Sequence, residues 1–582
     1  MNNVQIAEAL DEIGQLLELQ DVAIYRTRAY HNAADAVRRW PAPVDQLATQ
    51  GTLDTIPGVG KAIGEKISEL VTTGHLRYLD ELRASFPAGL FELLTVPSLG
   101  GKTALRIARE LGVGSIEELE VAARSGRIRT LSGMGEKREQ AILHNLESLR
   151  RKDQRHPIAD VLPLAQQVLD ALRASGLAQR LDAAGSLRRF EETIGDLDFI
   201  ATADDSSALT NYFVALPIVR EVLGQGPAKA TVIAQNGVQL DLKVVQPRDY
   251  GSLLQHFSGS KTHNIRLREF AQRKHLKVSE YGITDEVTGM DEHFATEEGI
   301  YQRLGLAYIP PELRQGLDEI ERAQSGRLPR LVTRADLQGD LHAHTDESDG
   351  HNTLEEMAAA AQAAGLRYLA ICDHSVGRAV AGGLSIERLR RQIVAIRAYN
   401  AQAPDGFRLL SGSEVDIRSD GRLDFPDELL AELDIVVASI HSAMQQDAET
   451  VTRRMLRAIE NPYVTIIGHP TARLIGRREP VALQMEAVIA AAARTGTVLE
   501  INASPERLDL KDAYARQAQE AGVMLSIDTD AHVAGSLQNL DFGVAIARRA
   551  WCAPEQILNS RDAAGVLAFA QTKRERLHAS SA

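Results

Sequence analysis

Cysteine is scarce in this 582-residue chain: Cys372 and Cys552 stand far apart and without CxxC spacing. That spacing fits a reducing cytosol better than a disulfide framework. A basic start followed by an apolar run is missing from MNNVQIAEALDEIG, so no secretory leader is expected. No apolar run approaches membrane-spanning length. A basic surplus is lacking too, and the net charge of −14 argues against a uniformly basic nucleic-acid coat. It does not exclude DNA, because carboxylates gathered around metal sites mask local basic patches. The expectation is a cytoplasmic protein of several domains, too long for one core.

What is abundant is metal-type ligands at the ends of short apolar runs. Seven such runs occupy the C-terminal part: DLHAH, ICDH, LLSGSE, VVASIHS, TIIGHP, LEINAS and LSIDTDAH. Placed at strand ends, His342, His344, Asp349, His374, Glu414, His441, His469, Asp530 and His532 can converge on one face of a barrel, where βα loops gather catalytic groups. Strand and helix alternate there about every 30 residues, with EEMAAAAQAAGL and MEAVIAAAARTG as covering helices, which implies a parallel sheet with helices outside. This half is read as a metal-dependent hydrolase.

Residues 1 to about 155 read instead as short amphipathic helices with almost no strand signal. Three Gly-centred turns, IPGVGKAIGEKI, VPSLGGKTALRI and LSGMGEKREQAI, each lead into a new helix. A tight Gly turn at a helix start leaves N–H groups pointing outward beside the positive end of the dipole, an arrangement suited to phosphate. One copy is a bland helical hairpin. Three copies, each followed by a lysine, favour DNA-backbone contact through Gly58, Gly60, Lys61, Gly100, Lys102, Gly133, Gly135 and Lys137. The turns resemble helix-hairpin-helix motifs.

In the middle, IGDLDFIATA places Asp196 and Asp198 on one side of a strand and Leu197 and Phe199 on the other. Asp241, in VQLDLKVV, can join them from a neighbouring strand. Two ions roughly 3.5–4 Å apart, held by such carboxylates, can activate a hydroxyl and stabilise a leaving oxygen, and oxygen-only ligation selects Mg²⁺ or Mn²⁺. The preceding AAGSLRRFEET offers Gly185 and Ser186 for close approach to phosphate, with Arg188 and Arg189 to neutralise it. GS-x-RR followed by GD-x-D resembles the family X DNA polymerases, the group of DNA polymerase beta. HFSGSKTHNIRLR downstream and IPGVGKAIGEKI upstream extend the likeness to that family's YFTGS segment and lyase-domain hairpin.

The resemblance implies that Asp196, Asp198 and Asp241 are metal-binding catalytic residues. It implies that Gly185, Ser186 and Arg189 hold the nucleotide phosphates. Phe257, Gly259 and Asn264 would line the sugar and base, and Arg268 would touch the template. His256 stands where the family has Tyr, which puts sugar discrimination in question. Lys66 aligns with the Schiff-base lysine of the family's deoxyribose-phosphate lyase; a lysine contacting the DNA backbone is the equal alternative.

HAHTDESDG and the strand ends after it resemble the PHP (polymerase and histidinol phosphatase) domain, which bacterial and archaeal family X polymerases carry at their C-terminus. The resemblance implies three ions: one on His342, His344, Glu414 and Asp530, a second on Glu414, His441 and His469, a third on Asp349, His374 and His532. Mixed imidazole and carboxylate ligation admits Mn²⁺, Zn²⁺ or Fe²⁺. Arg378, Arg418 and Arg473 are candidates to hold substrate phosphates, and Asp346 is a substitute ligand of lower claim. The expected fold is multidomain α+β and α/β: a lyase-like helical domain over 1–85, a second helix-hairpin-helix subdomain over 86–155, a small nucleotidyltransferase palm over 156–250, a polar helix-and-loop nascent-base-pair subdomain over 251–325, a linker over 326–337 and a distorted (β/α)7 PHP barrel over 338–582.

The leading functional expectation is a repair polymerase that fills short DNA gaps from deoxynucleoside triphosphates, joined to a 3′–5′ exonuclease or related 3′-end phosphoesterase. One alternative makes the PHP domain structural or a pyrophosphatase. Another makes the N-terminal half a non-catalytic DNA-binding module that delivers a phosphoesterase. Nothing in the sequence demands more than a monomer.

Overall fold

The computed structural model describes residues 3–581 apart from 21–23, 40–43, 57, 88, 95, 97–98, 154, 379–380 and 404–405. The chain divides into two compact units, Met1–Gln154 and Arg155–Ala582.

The first unit is helical. In Asn3–Leu19 the apolar residues Ile6, Leu10, Ile13 and Leu17 recur at helical spacing, and all are buried. They share a core with Ile63, Ile67 and Leu70 of helix Lys61–Thr73 and with Ala104, Leu105, Ile107 and Ala108 of helix Gly101–Leu111. Both latter helices begin behind a glycine, Gly60 or Gly100, and neither has a side-chain cap. A Cβ at Gly60, Gly100, Gly133 or Gly135 would meet nothing within 4 Å. Each of these glycines therefore faces open space on its side-chain side.

The second unit begins with a five-stranded sheet in the order Arg180–Ala183, Asp196–Thr202, Gln239–Val244, Lys229–Ala234, Val219–Gln225. Only the pairing of Asp196–Thr202 with Gln239–Val244 is parallel. Leu197, Phe199, Leu240 and Leu242 are fully buried and share a core with Val161 and Val168 of helix Ile158–Ala174 and with Leu209 and Phe213 of helix Ser206–Val214. Because side chains alternate along a strand, the helices claim one face of the sheet and the aspartates take the other.

Residues 251–325 hold more strand than expected. Beside helices Tyr250–Ser258 and Lys261–Gln272 lies a three-stranded antiparallel sheet of Leu276–Ser279, Gly282–Asp285 and Asp291–Glu292. These strands are two to four residues long, too short for a period to register, yet Leu276, Val278 and Ile283 are buried while Lys277 is exposed. The segment expected to be a linker is packed: Leu331, Val332 and Leu337 are buried, and Val332 N–H donates to the Cys552 carbonyl at 3.0 Å. Its three apolar residues outweigh the Pro and Arg that mark it as connecting chain.

The C-terminal part is a parallel seven-stranded sheet whose order follows the chain: Gly339–Ala343, Tyr368–Ile371, Arg408–Asp416, Ile435–Ser439, Ile466–Ile467, Val498–Asn502 and Leu525–Asp528. A parallel bridge between Ala343 and Ala531 brings the first strand to the end of the last, closing the barrel. Helices such as Leu354–Ala363 and Met485–Thr495 cover it, and all the strands except for Arg408 are buried. Among the described residues no helix is long and apolar enough to cross a membrane.

A buried ionic knot joins the sheet domain to residues 251–325. Glu297 accepts from Arg188 Nη2 and from Arg314 Nη1, both at 2.6 Å. Burial opposes the charge of Glu297, but the two guanidinium groups win and lower its pKa to about 2. This contribution is present above the ordinary carboxylate range and fades as pH falls toward about 2. Arg314→Met leaves Glu297 half-compensated and should cost about 3 kcal/mol. Urea unfolding checks this, and an unchanged midpoint would show that Arg188 alone suffices.

Candidate active sites

The parallel register sets Asp198 directly opposite Asp241, with Asp196 two residues earlier on the same side. Asp241 accepts from Thr231 Oγ1 at 2.5 Å and Gln239 Nε2 at 2.6 Å, and Lys229 Nζ lies 3.1 Å away. Burial, then the charges of Asp196 and Asp241, push the Asp198 carboxyl up to about 7. An oxygen-only set of crowded carboxylates is one a divalent cation would relieve. Gly185 has φ +62°, and a Cβ there would sit 2.5 Å from Asp198 Oδ2. Only glycine permits this turn to pass so close to the carboxylate.

The turn Gly185–Arg188 carries Ser186, and Arg189 follows it. The two arginines are not equivalent. Arg188 is committed to Ser258 Oγ at 2.6 Å and to Glu297. Arg189 donates Nη1 to the Ser258 carbonyl, while its buried Nε, 3.5 Å from Glu191 Oε1, has no hydrogen-bond partner among the described residues. Gly259, with φ +65°, lies against Arg189: a Cβ there would be 3.0 Å from Nη1. Phe257 lies under Lys243, whose Nζ is 2.9 Å from the ring centroid, and edge-on to His256 at 5.1 Å. Asn264 donates to the His256 carbonyl at 2.7 Å, fixing the end of that helix. Arg268 is exposed and donates Nε to the Asn264 carbonyl at 3.2 Å. A cleft of about 480 Å³ lies to the side of Phe257, lined among others by Lys229, Lys243 and Tyr281; none of the three aspartates, Ser186 or Arg189 lines it.

In the first unit Lys66 lies on helix Lys61–Thr73, with Nζ 3.3 Å from the Ala62 carbonyl and 4.7 Å from the centroid of the Tyr78 ring. Lys61 and Lys137 are exposed near their hairpin turns. Lys102 lies in the first turn of helix Gly101–Leu111.

At the barrel mouth the nine expected ligands lie together. Three groups bring ligand atoms within 4.8 Å of one another: His342, His344, Glu414 and Asp530; His344, Asp349, His374 and His532; and His374, Glu414 and His441. The first is the grouping expected. The second adds His344, and the third takes in His374 and leaves out His469. His469 Nε2 nonetheless lies 2.9 Å from Glu414 Oε1, the same oxygen that His441 Nε2 approaches at 3.2 Å. The difference arises because His374 spans the two carboxylates, 3.3 Å from Asp349 and 2.8 Å from Glu414. Among the described residues, buried His342 Nε2, His344 Nδ1 and His469 Nδ1 have no hydrogen-bond partner, and Glu414 Oε2 has none of good geometry although His374 Nδ1 lies 2.8 Å away. In a buried site that leaves polar atoms unpaid, and His342 Nε2 and Glu414 Oε2 in particular fit metal ligands. His469 and Asp530 both have left-handed backbone, φ +28° and +54°, a strain that active sites hold. Asp346 is exposed.

Protonation divides the imidazoles. Burial opposes charge on all of them. Glu500, Asp530 and Glu414 nonetheless hold His342 well above its ordinary range, and Glu414 and Asp349 lift His374 to about 10. His344 falls to about 3 through burial and the His374 charge, and His469 to about 4 through burial and Arg507.

The partners behind the ligands escape a reading of the sequence. Glu500 accepts from His342 Nδ1 at 2.7 Å and from the His469 N–H at 2.5 Å. Asp416 lies 2.5 Å from His441 Nδ1, and the Asp530 carbonyl 2.8 Å from His532 Nδ1. Such partners orient the imidazole. The signal was present for Glu500, an acidic residue inside the apolar run LEIN, and for Asp416, two residues after Glu414 on one strand. Arg507 has no such signal: its Nε is 3.4 Å from Asp530 Oδ2, and its buried Nη1 has no hydrogen-bond partner. Of the expected arginines, Arg418 is paired with Asp424 at 2.6 Å and Arg473 with Glu192 at 2.8 Å, whereas buried Arg378 Nε has no hydrogen-bond partner among the described residues.

Profiles of known families match along the chain: a helix-hairpin-helix domain over 1–76, a SAM-like helix-hairpin-helix tandem over 90–148, a DNA polymerase beta thumb over 253–315 and a PHP domain over 340–504. The DNA polymerase/3′-5′ exonuclease PolX of Bacillus subtilis is 36% identical over 571 residues, 98% of this chain and 99% of that protein. The barrel region alone resembles smaller proteins. A probable phosphatase of Thermoanaerobacter sp. is 30% identical over 254 residues, 41% of this chain and 96% of that protein, and one of Shewanella sediminis is 34% identical over 230 residues, 38% and 88%.

The raised Asp198 carboxyl has a consequence for the ion-free protein. From its ordinary value of 3.8 up to about 7, the folded group keeps a proton that the unfolded chain has shed, so its contribution to stability is lost as pH rises through that window. In chelator, Asp198→Asn should gain stability relative to the parent by about 2–3 kcal/mol between about pH 5 and about pH 8. Denaturant unfolding at the two pH values measures it. A difference that stays constant would mean the carboxylate is not destabilised by its neighbours.

Proposed function

The chain belongs to the family X DNA polymerases that carry a C-terminal PHP domain, and from that membership we propose a cytosolic DNA repair enzyme with two active sites, one extending a primer across a short gap and the other removing nucleotides from its 3′ end. The observation that carries the polymerase reading is the register of Asp198 on Asp241 beside the glycine turn. The two cysteines, both free and buried, suit a reducing compartment. Each site is assembled from one chain, so a monomer suffices.

Asp196, Asp198 and Asp241 would hold Mg²⁺ or Mn²⁺, and the barrel ligands up to three of Mn²⁺, Zn²⁺ or Fe²⁺. Divalent ions, when bound, supply neutralisation of charge on phosphoryl oxygens at one site and Lewis acidity for phosphodiester hydrolysis at the other. Ser186 and Arg189 would bind the nucleotide's outer phosphates, Arg189 through the guanidinium edge that Ser258 does not occupy. Phe257, Gly259 and Asn264 would line sugar and base, and Arg268 the template. With His256 in the aromatic pair, an imidazole that burial keeps neutral faces the sugar. The hairpin glycines Gly58, Gly60, Gly100, Gly133 and Gly135, with Lys61, Lys102 and Lys137, would grip the DNA backbone. Lys66, exposed at its tip, fits a 5′-phosphate contact as well as it fits a lyase nucleophile. In the barrel, Arg507 and Arg378 offer unpaired guanidinium N–H groups to the scissile phosphate. We take the domain limits read from the sequence, with 326–337 as the connection before the barrel.

A second reading, that the PHP site is a phosphomonoesterase, is favoured by the barrel's relatives, which are named probable phosphatases.

An end-labelled primer on a one-nucleotide-gapped duplex with Mn²⁺ tests both. Asp196→Ala/Asp198→Ala should stop extension and leave shortening, and His342→Ala/His344→Ala should do the reverse. Shortening that survives the histidine changes would move the nuclease elsewhere. Release of phosphate from a 3′-phosphorylated primer without shortening would select the second reading. Arg507→Gln should slow shortening about 10- to 100-fold while extension is kept; equal loss of both would assign Arg507 to stability alone.

A further inference from the structure

The glycine turn of the polymerase site does not hold itself. Four consecutive residues, Arg189 to Glu192, which close the turn begun at Gly185 and Ser186, are each gripped by the barrel. The Arg189 carbonyl accepts from Arg549 Nη1 at 2.8 Å. The Phe190 ring packs edge-to-face on Phe542, centroids 5.5 Å apart, and Phe190 has left-handed backbone at φ +54°. Glu191 accepts from Arg549 Nη2 at 3.0 Å. Glu192 is bound by Arg473 at 2.8 Å and by Lys511 at 3.3 Å.

The grip reaches Ser186 directly, because the Glu191 N–H donates to the Ser186 carbonyl at 3.0 Å. The gripping side chains are themselves anchored. Arg549, buried at the end of helix Leu540–Arg549, also bonds Asp512 Oδ2 at 2.8 Å through Nε. Arg473 donates to the carbonyls of Arg507, at 2.9 Å, and Leu508. A bulky residue in left-handed backbone persists only where its surroundings over-determine it. Here those surroundings are supplied from more than 270 positions along the chain, as the separations of 281 for Arg473–Glu192 and 360 for Arg549–Arg189 record.

We propose that the PHP barrel is a structural part of the polymerase's nucleotide site, with Arg549 and Arg473 as positioning residues that hold the turn bearing Ser186 and Arg189. The proposal rests on the reading of that turn as the binder of the nucleotide's phosphates. It makes polymerisation depend on the barrel for geometry, independently of whether the barrel's own ligands are intact.

Single-nucleotide incorporation at a one-nucleotide gap by the full chain tests it, with KM and kcat separated and 3′ shortening followed alongside. Arg549→Ala should raise the nucleotide KM about 10- to 100-fold with a smaller change in kcat, since a displaced turn misplaces the phosphates. Shortening should be unchanged. Arg549→Lys, which keeps the charge but not the fork, should recover part of the loss, and Glu192→Gln in a chain that keeps its thermal midpoint should raise KM in the same direction. An unchanged KM in Arg549→Ala overturns the proposal, as does a parallel loss of extension and shortening. Ser186→Ala serves as the control: if it leaves KM unchanged, the phosphate reading of the turn fails and the proposal with it. If Ser186→Ala raises KM and Arg549→Ala does not, the proposal alone fails.

Discussion

Glu414 is the charge around which the barrel mouth is built. It is fully buried, and its two oxygens lie between 2.8 and 3.7 Å from nitrogens of His342, His344, His374, His441 and His469. An isolated carboxylate at that depth would take up a proton; the imidazoles around it instead hold it ionised, well below its ordinary range. The requirement propagates outward. Strand Arg408–Asp416 must run between Tyr368–Ile371 and Ile435–Ser439 for the imidazoles after those strands to reach it. Buried Arg454 then ties the loops beyond Glu414 and His441, donating to the carbonyls of Ile417, Arg418, Ser442 and Ala443.

The two candidate centres solve the problem of buried charge differently. The barrel mixes imidazole with carboxylate, so protons can be shared within the cluster. The palm gathers three aspartates with no imidazole among them, and although Lys229 and Lys243 lie close by, burial and the neighbouring carboxylates still raise Asp198. Both centres belong to one compact unit and are joined by a continuous run of contacts: Asp530 to Arg507, the Arg507 carbonyl to Arg473, Arg473 to Glu192. The same arginine that stiffens the loop beside the metal-type ligands stiffens the turn beside the aspartates.

Much of this was legible in the sequence where a period or a spacing had room to repeat. The palm strands carry a clear alternation of two, which set Asp196 and Asp198 apart from Leu197 and Phe199. The seven runs at the barrel's strand ends were legible because a closed parallel barrel brings every strand's C-terminal end to one face. The small sheet over 276–292 was not, because strands of two to four residues give no period. The packing of residues 326–337 was not legible from composition, since three buried apolar residues count for more in packing than a proline does in a profile.

Sequence by itself determined which residue types are available and on which face of each strand they fall: nine ligands at strand ends, three aspartates on two strands, three glycine turns before helices. These follow from local geometry, in which a side chain's direction is set by its position in a repeat of two or 3.6 residues. Tertiary structure alone decided the partnerships. That His374 reaches both Asp349 and Glu414, that Glu500 orients His342, and that Arg549 holds a turn 360 residues away all depend on distances between elements remote in the chain. Those distances are products of packing and closure, which no local pattern encodes.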